Sequence, residues 1–320
     1  MKVVPVAAES MGVRSMCTYV EVKGLRILLD PGAALGLRFS LLPHPVEYKA
    51  LVEAKRRIKE YAQRADVIFI SHYHYDHYAR LDRTDYVWSW SIPDEDIIIY
   101  DDKEVIVKSW RSKINVSQRI RAHRLLRALE NFKVKVKIHE ADGKVFEYDE
   151  VKLRALEPGP HGEDGTALGY VVPLLIETED ERLLFVPDVQ GPISDRYRDI
   201  IVHIKANIII IGGPPLYLAG NKVSKDSVQR GLRNLKIIAS QYDEVIVDHH
   251  MLRDPAWYEV MAELKSINKN VKTMAEYREE ENRPLEYLRR ELYEKNKPSE
   301  DFIRWLNLRR EERYRTPPPI

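Results

Sequence analysis

Residues 71–77 have the sequence Ser-His-Tyr-His-Tyr-Asp-His and follow directly on the apolar run Val67-Ile68-Phe69-Ile70. A short apolar run of this kind predicts a buried strand. On a backbone that stays extended, His72, His74 and Asp76 would point to the same side, because side chains alternate with period two. His77 follows where the chain must turn. Imidazole and carboxylate groups suit zinc, iron and other borderline metals, so the cluster predicts a metal site at the end of a strand.

The order His-x-His-x-Asp-His after an apolar strand resembles the signature of the metallo-β-lactamase superfamily. The resemblance extends over residues 10–275, because further motifs follow in the expected order. It implies an α/β protein with a four-layer αββα sandwich and a site at one edge of the two sheets. The chain as a whole resembles an archaeal branch of metal-dependent hydrolases in this superfamily.

Three later motifs come after predicted strands. His161 lies in a loop rich in proline and glycine, Asp188 follows the run Leu183–Val186, and His249 and His250 follow Val245–Val247. Neighbouring residues on an extended chain point to opposite sides, which predicts that only one of the two histidines is a ligand. We favour His249, because the superfamily's histidine tends to lie two residues after the apolar run, with His250 as the second choice.

The resemblance also implies a division of the ligands between two metal ions. His72, His74 and His161 would hold one ion, Asp76, His77 and His249 would hold the other, and Asp188 would bridge them. Asp76 would in addition act catalytically, by orienting the nucleophile or taking its proton.

Two further residues have open alternatives. Asp30, in the turn Asp30-Pro31-Gly32 after a predicted strand, supports the ligands by the resemblance and is otherwise a plain turn aspartate. Arg253 either binds an anionic group of the substrate or pairs with its neighbour Asp254. Cys17 falls within a predicted strand and is expected to be buried rather than nucleophilic.

Two divalent ions, zinc in the first place and iron or manganese as alternatives, would share a water and lower its pKa, which gives a metal-bound hydroxide. The predicted function is therefore a metal-dependent hydrolase of a small ester, lactone or phosphodiester. A nuclease acting on RNA or DNA is a second possibility, motivated by the arginine-rich segments 119–127 and 304–315. A third is an iron-dependent oxidoreductase, or a non-catalytic metal-binding module, on the same fold.

Composition sets limits on these functions. The chain has 320 residues, 51 basic and 50 acidic side chains and a net charge of +1, which does not indicate a general nucleic-acid binder. Its single cysteine indicates a reducing, cytoplasmic setting, and no apolar run is long enough to span a membrane. The high charged fraction of 32% is typical of thermophile-like surfaces. The oligomeric state stays open.

The predicted organisation is a metallo-β-lactamase-like domain at 1–275, with an insertion around 80–140, and a charged helical extension at 276–320 that packs on the same domain. Within these limits we expect a strand at Ile97–Tyr100, a long strand from Gly165 to Ile176 and a helix from Asp254 to Ile267.

Overall fold

A computed structural model describes residues 1–82, 90, 93–313 and 315–320. Its strands fall into two large sheets and one short pair. The first sheet contains, in spatial order, β1 (Lys2–Ala8), β2 (Met16–Val22), β3 (Leu25–Leu29), β4 (Val67–Ile70), β5 (Lys103–Val107) and β6 (Val136–Glu140). The remaining strands along the chain are β7 (Val145–Tyr148), β8 (Val151–Ala155), β9 (Gly159–Pro160), β10 (Tyr170–Val171), β11 (Leu174–Glu177), β12 (Arg182–Val186), β13 (Ile208–Gly212), β14 (Glu244–Asp248) and β15 (Val271–Lys272).

The second sheet has the spatial order β15-β14-β13-β12-β11-β8-β7, and β9 pairs with β10. In the first sheet β3, β4, β5 and β6 are parallel, and in the second β12, β13, β14 and β15 are parallel. Parallel strands end at the same edge of a sheet, so the loops after β4, β12 and β14 are placed where ligands bind in α/β proteins.

Helices cover the outer faces of both sheets. In chain order the helices of the described residues are α1 (Pro45–Arg64), α2 (Pro93–Asp96), α3 (Val116–Asn131), α4 (Asp195–Val202), α5 (Lys225–Ala239), α6 (Trp257–Ile267), α7 (Met274–Tyr277), α8 (Arg289–Lys295), α9 (Glu300–Leu306) and α10 (Arg310–Arg313). Helix α7 differs from the others on the sheets, because Met274 and Ala275 lie in the cluster between the two sheets. His44 begins α1 with a capping box that includes Glu47, and Ser224 caps α5 through its hydroxyl.

The core explains why the central strands are apolar throughout. Phe69 of β4 and Phe185 of β12 point into the cluster between the two sheets. Their neighbours Ile68 and Leu184 point outward, the first into the cluster under α1 and α3 and the second into the cluster under α4, α5 and α6. Both faces of each strand are thus covered, which requires a continuous apolar sequence. The predicted four-layer αββα sandwich is confirmed.

Three predicted elements are wrong. Ile97–Ile99 form a 3-10 helix rather than a strand, and the long strand expected from Gly165 to Ile176 is divided into β10 and β11, with Pro173 between them. Proline has no backbone N–H to give to a ladder, so it interrupts the pairing. Helix α6 begins at Trp257 instead of Asp254, because His249–Arg253 form a 3-10 helix of their own.

The segment 80–140 is also different from the predicted insertion. Its described part supplies β5, α3 and β6, and both strands pair in register within the first sheet. Leu125 and Leu129 of α3 lie in the same buried cluster as Val105 of β5. This part of the chain therefore belongs to the core of the domain, whereas residues 83–89 and 91–92 lie outside the described residues.

The charged C-terminal segment packs on α1. Tyr48 of α1 contacts Phe302 and Trp305 edge-on, with ring centroids 5.5 and 5.2 Å apart. Arg289 and Glu47 form a fully buried ion pair of 2.7 Å. The proposed boundary between 1–275 and 276–320 stays a prediction. Among the described residues, no helix combines the length and the apolar character that crossing a bilayer requires.

Candidate metal centre

The loop after β4 brings its histidines together by a tight turn. His77 N–H donates to the carbonyl oxygen of His74 at 2.9 Å, so the backbone does not stay extended through Asp76. His72 and His77 are fully buried, and their ring centroids lie 4.2 Å apart. The ring centroids of His74 and His72 lie 4.6 Å apart. The four predicted side chains of this loop therefore converge, although by a turn rather than by the alternation of a strand.

Asp30 orients two of these histidines. Its Oδ2 accepts from His77 Nδ1 at 2.7 Å and from the Ser71 hydroxyl at 2.6 Å, and its Oδ1 accepts from Ser71 N–H at 2.7 Å. The Ser71 hydroxyl gives its one hydrogen to Asp30, so it accepts from His72 Nδ1 at 3.0 Å. Both histidines then carry their hydrogen on Nδ1, which leaves the Nε2 lone pairs for a ligand.

Those two Nε2 atoms satisfy an independent test of a metal site. His72 Nε2 and His77 Nε2 are buried and, among the described residues, have no hydrogen-bond partner. Buried polar atoms in native proteins are nearly always paired, so two such atoms side by side indicate a missing ligand. A divalent metal ion fits the unprotonated imidazole nitrogens that Asp30 and Ser71 prepare.

Asp188 lies at the centre of the cluster. Its Oδ2 is 2.5 Å from His161 Nε2, 3.6 Å from His72 Nε2 and 3.8 Å from His77 Nε2. Nitrogens of His74 and His249 lie 3.8 and 3.7 Å from the same oxygen. One carboxylate oxygen thus faces five imidazoles that come from loops of both sheets.

The two adjacent histidines after β14 both face Asp188. His249 has a φ of +74°, and its N–H donates to the Asp248 carboxylate at 2.7 Å. This left-handed residue ends the extended backbone and begins the 3-10 helix His249–Arg253. His250 Nε2 consequently lies 2.9 Å from Asp188 Oδ1. The expectation that the two side chains point to opposite sides is wrong, because the chain turns between them.

Arg253 pairs with Glu9 rather than with its neighbour Asp254. Its Nε donates to Glu9 Oε2 at 2.6 Å, and both side chains are buried. The alternative pairing with Asp254 is therefore wrong. The guanidinium also lies 3.7 Å from Asp76 Oδ2, and Asp76 Oδ2 lies 3.6 Å from His249 Nε2. Arg253 borders the cavity above the cluster, and its contact with substrate stays a prediction.

Protonation states agree with ligation for His74, His249 and Asp188, and His77 is the exception. Burial lowers the pKa of His74 to about 4, and burial together with the charge of Arg253 lowers the pKa of His249 to about 3. Burial alone would raise the pKa of Asp188, but His161, His250 and His249 hold it well below its usual value. Burial would lower the pKa of His77, and the Asp30 and Asp76 carboxylates raise it to about 9 instead. Neutral imidazoles and ionised carboxylates are the forms that bind metals, so binding at His77 displaces a proton.

Among the described residues the candidate ligand atoms fall into overlapping groups, of which two match the sets that the sequence predicts and another joins Asp30 to His72 and His77. His72, His74, His161 and Asp188 form one group, and Asp76, His77 and His249 form another, with the candidate ligand atoms of each group within 4.8 Å of one another. A further group joins Asp188 to His249 and His250. The assignment of each residue to an ion stays a prediction, which this arrangement supports.

Several residues of the site have no signal in the sequence. Glu9 lies 244 positions from its partner Arg253, and Tyr217, whose hydroxyl lies 3.2 Å from His250 Nδ1, belongs to a short 3-10 helix. Gln190 lies 3.3 Å from His161 Nδ1 through its side-chain amide. Of these, only Gln190 could have been considered from the sequence, because it lies two residues after the motif residue Asp188.

A cavity of about 750 Å³ lies above the cluster. Five candidate ligands border it: His74, Asp76, His161, Asp188 and His250. Its basic lining residues are Arg14, Arg121, Lys222 and Arg253, and its apolar ones include Leu35, Leu168, Ile193 and Leu218. A cavity of this size accommodates a substrate larger than a simple acetate ester.

Two facing sheets with a histidine and aspartate cluster at one edge define the metallo-β-lactamase fold. A metallo-β-lactamase fold protein, YhfI from Bacillus subtilis, has the same fold with a TM-score of 0.51 at 10% identity, over 85% of this chain and 95% of that one. The family model described as "Beta-lactamase superfamily domain" matches residues 13–233, which contain the candidate ligands from His72 to Asp188.

Close relatives extend over nearly the whole chain. A UPF0282 protein of Thermococcus sibiricus is 38% identical over 302 residues, which cover 94% of this chain and 96% of the relative. A UPF0282 protein of Metallosphaera sedula is 39% identical over 300 residues, which cover 92% of this chain and 93% of the relative. The chain therefore belongs to the β-lactamase superfamily and, within it, to the UPF0282 family of archaeal proteins, which confirms the resemblance found in the sequence.

Proposed function

We propose that the protein is a metal-dependent hydrolase of a small anionic ester, lactone or phosphodiester. The observation that carries the proposal is the position of Asp188 Oδ2, which faces five imidazoles at the floor of a large cavity. Two divalent ions, when bound there, supply an acidified water as nucleophile and polarise the substrate oxygen. The superfamily consists mainly of metal-dependent hydrolases, and the donor set fits such chemistry.

The residues around the ions have distinct tasks in this proposal. Asp76 is half-buried at the cavity surface, where its carboxylate is placed to accept a hydrogen bond from the attacking water. Asp30 keeps His72 and His77 in the tautomer that binds metal. The cavity walls separate the reacting groups from bulk water and so strengthen their interactions.

The charge of the cavity favours an anionic substrate. Arg121 stacks on the Tyr75 ring at 4.6 Å and donates to the Tyr73 carbonyl, and no acidic side chain in the described part of the chain pairs with it. Lys222 borders the cavity as well, and no described acidic group pairs with it. Two divalent ions are offset by Asp30, Asp76, Asp188 and the cavity residue Glu163, so Arg121 and Lys222 leave the loaded site positive and it attracts negative groups.

The proposal is tested by metal quantification together with hydrolysis of matched substrates. The metal-loaded protein is compared with chelator-treated protein on the chromogenic p-nitrophenyl acetate and bis(p-nitrophenyl) phosphate, and on a lactone that carries a carboxylate, whose opening is followed by acid release. We expect turnover only in the loaded form, with the phosphodiester or the lactone preferred over the neutral acetate ester. Full hydrolytic activity in metal-depleted protein would contradict the proposal.

A nuclease activity is the second candidate, and α3 is the observation that favours it. Arg121 of α3 reaches the cavity, while Arg119, Arg124 and Arg127 on the same helix are exposed. Arg121, Arg124 and Arg127 follow at intervals of three residues, so they are neighbours on the helix surface and form a basic strip beside the cavity. The second basic segment does not extend this strip, because Trp305 and Phe302 of its helix α9 pack on α1 instead.

RNA binding at several salt concentrations separates the two candidates. A nuclease that holds its substrate through the α3 strip should lose affinity steeply as salt rises, and Arg124→Gln with Arg127→Gln should flatten that dependence. Absence of RNA and DNA binding at low salt would remove this candidate.

The identity of the ions decides the third candidate, an iron-dependent oxidoreductase or a metal-binding module without turnover. Imidazole and carboxylate ligands suit zinc, iron and manganese alike. Elemental analysis and an optical spectrum of the protein as isolated distinguish them, since zinc has no visible absorption and a pair of ferric ions does.

A further inference from the structure

His250 differs from its neighbour His249 in exposure. His249 is fully buried, whereas His250 is 9% exposed and borders the cavity. Both imidazoles lie near Asp188, but His249 approaches Oδ2, the oxygen that faces the other ligands, and His250 approaches Oδ1. The two adjacent histidines therefore contact different oxygens of the same carboxylate.

Hydrogen bonds fix the tautomer of His250. Its Nδ1 receives Arg253 Nη1–H at 3.1 Å and faces the Tyr217 hydroxyl at 3.2 Å. A guanidinium is a donor at every nitrogen and never an acceptor, so His250 Nδ1 must be the acceptor and carries no hydrogen. In a neutral imidazole the hydrogen then resides on Nε2, where a metal ion would need a lone pair.

Arg253 is held firmly in the position that imposes this tautomer. It forms a buried ion pair with Glu9, in which Nε and Oε2 are 2.6 Å apart, and its Nη1 also lies 3.3 Å from the Tyr217 hydroxyl. A buried pair of this kind is costly to break, because each charge would lose its closest counter-charge in surroundings without water. The acceptor role of His250 Nδ1 is therefore part of the fold.

The same arginine leaves His249 free to bind metal. Arg253 Nη2 lies 3.2 Å from His249 Nδ1 and 3.5 Å from His249 Nε2. An atom that close to both nitrogens lies over the face of the ring, because in the ring plane it would overlap the carbon between them. The in-plane lone pair of His249 is thus not occupied by Arg253.

The N–H of His250 is available to the cavity. Its Nε2 is 2.9 Å from Asp188 Oδ1, yet this oxygen has no hydrogen bond of regular geometry in the described structure. The geometry of this contact falls outside that of a hydrogen bond, and His250 borders the cavity that a substrate would fill.

We infer that His250 is a hydrogen-bond donor to an anionic oxygen of the bound substrate, held in its Nε2–H tautomer by Arg253, and is not a metal ligand. The inference rests on the proposed function, since it concerns the substrate of that site. The ligand class is a tetrahedral or trigonal oxyanion, such as a phosphodiester oxygen or the carbonyl oxygen of a lactone as it gains negative charge. His249 completes the metal ligands alone.

Metal content and anion binding test the inference in the full-length protein. Zinc equivalents are measured in wild type, His250→Ala, His250→Gln and His249→Gln, and inorganic phosphate is titrated calorimetrically into each zinc-loaded form. We expect both His250 variants to keep the wild-type zinc content and His249→Gln to lose about one equivalent. His250→Ala should bind phosphate roughly ten- to a hundredfold more weakly, as the loss of a bond to a charged acceptor predicts, and His250→Gln should recover part of the affinity.

The tautomer has a direct spectroscopic signature. In protein labelled with ¹⁵N-histidine, the signal that disappears in His250→Gln should show a protonated Nε2 and an unprotonated Nδ1. A protonated Nδ1, or a loss of zinc in His250→Ala equal to that in His249→Gln, would overturn the inference. If wild type binds zinc but hydrolyses no substrate, the proposed function fails, while the phosphate titration and the tautomer still decide the role of His250.

Discussion

The loops after β4 and β14 both carry candidate ligands, and each is held by one fully buried aspartate. Asp30 supports the loop Ser71–His77 of the first sheet, and Asp248 supports the loop His249–Arg253 of the second. The two aspartates act in different ways. Asp30 bonds to a ligand side chain and, through the Ser71 hydroxyl, to a second one. Asp248 accepts from the backbone N–H groups of Ser10, His249 and Met274.

This difference separates two kinds of support for a metal site. The first aspartate determines which ring nitrogen of a histidine is free, and so acts on the electronic state of the ligand. The second determines where the chain turns, and so acts on the direction of two side chains. Substitutions at the two positions should therefore affect metal affinity and folding stability in different proportions.

The largest effect is expected from the residue that both loops face. Asp188→Ala removes the oxygen that lies within 4 Å of five imidazoles, and we expect it to lower the metal content by more than half. Elemental analysis after gel filtration measures this. Asp180→Ala, at an exposed turn, is the matched control and should keep the wild-type content. Unchanged metal in Asp188→Ala would show that the two loops do not share a site.

Asp30→Asn should have the next largest effect on metal binding. The amide places an N–H₂ group where the carboxylate accepts from Ser71 N–H, the Ser71 hydroxyl and His77 Nδ1. When this group faces His77, Nδ1 must become an acceptor, and the hydrogen of the imidazole then lies on Nε2, where the metal would bind. Loss of such supporting partners typically weakens metal affinity roughly 10- to 100-fold. Competition with a chelator measures the affinity. Asp66→Asn, which alters an exposed pair with Arg26, is the control, and equal affinities in the two variants would remove the proposed role of Asp30.

Asp248→Asn should lower folding stability more than metal affinity, the reverse of Asp30→Asn. One of its oxygens becomes an N–H₂ group that faces a backbone donor such as Met274 N–H, and a buried unsatisfied donor costs about 1–3 kcal/mol of unfolding free energy. The ligand side chains are unchanged, so we expect only a severalfold loss of metal affinity. Urea unfolding of the metal-free protein and chelator competition give the two quantities. A loss of affinity larger than that of Asp30→Asn would invalidate the distinction between the two aspartates.

Ser10→Ala should have the smallest effect. It leaves Ala275 N–H without the hydroxyl that it contacts at 2.9 Å, which costs about 1 kcal/mol of unfolding free energy. Metal affinity should stay close to that of wild type, because Asp248 loses the Ser10 hydroxyl but keeps the N–H groups of Ser10, His249 and Met274. Ser266→Ala removes an exposed hydroxyl bonded to its own helix and is the control for both measurements. A clear loss of metal in Ser10→Ala would mean that the support of the second loop depends on this side chain as well.

The first loop was predictable because its information is local. Four candidate metal ligands lie within six residues after an apolar strand, so their closeness in sequence alone keeps them close in space. Asp30 was also found, since an acid at the end of a strand has a known counterpart in the resembled family. Asp188 and His161 depended on the order of the motifs, which the superfamily resemblance supplies and spacing alone does not.

For the second loop, the sequence predicted which residues are candidate ligands but not where their side chains point. Adjacent histidines diverge on an extended strand, and the positive φ of His249 depends on bonds from Asp248 to residues distant in sequence. For the same reason the sequence offers only the adjacent Asp254 as an acidic partner of Arg253, beside an anionic substrate, while the partner Glu9 comes from the other end of the chain. Local patterns cannot report a contact that only the assembled sheets create.

Asp248 has a consequence for the order in which a growing chain matures. Its carboxylate needs Ser10, which leaves the ribosome early, and Met274, which leaves late. The loop Ser71–His77 has its complete support once residue 77 has emerged, because Asp30 and Ser71 precede it. The second loop has all its candidate ligands by residue 250 and gains its full support about two dozen residues later. A nascent chain therefore holds half of a binding centre well before it holds the whole.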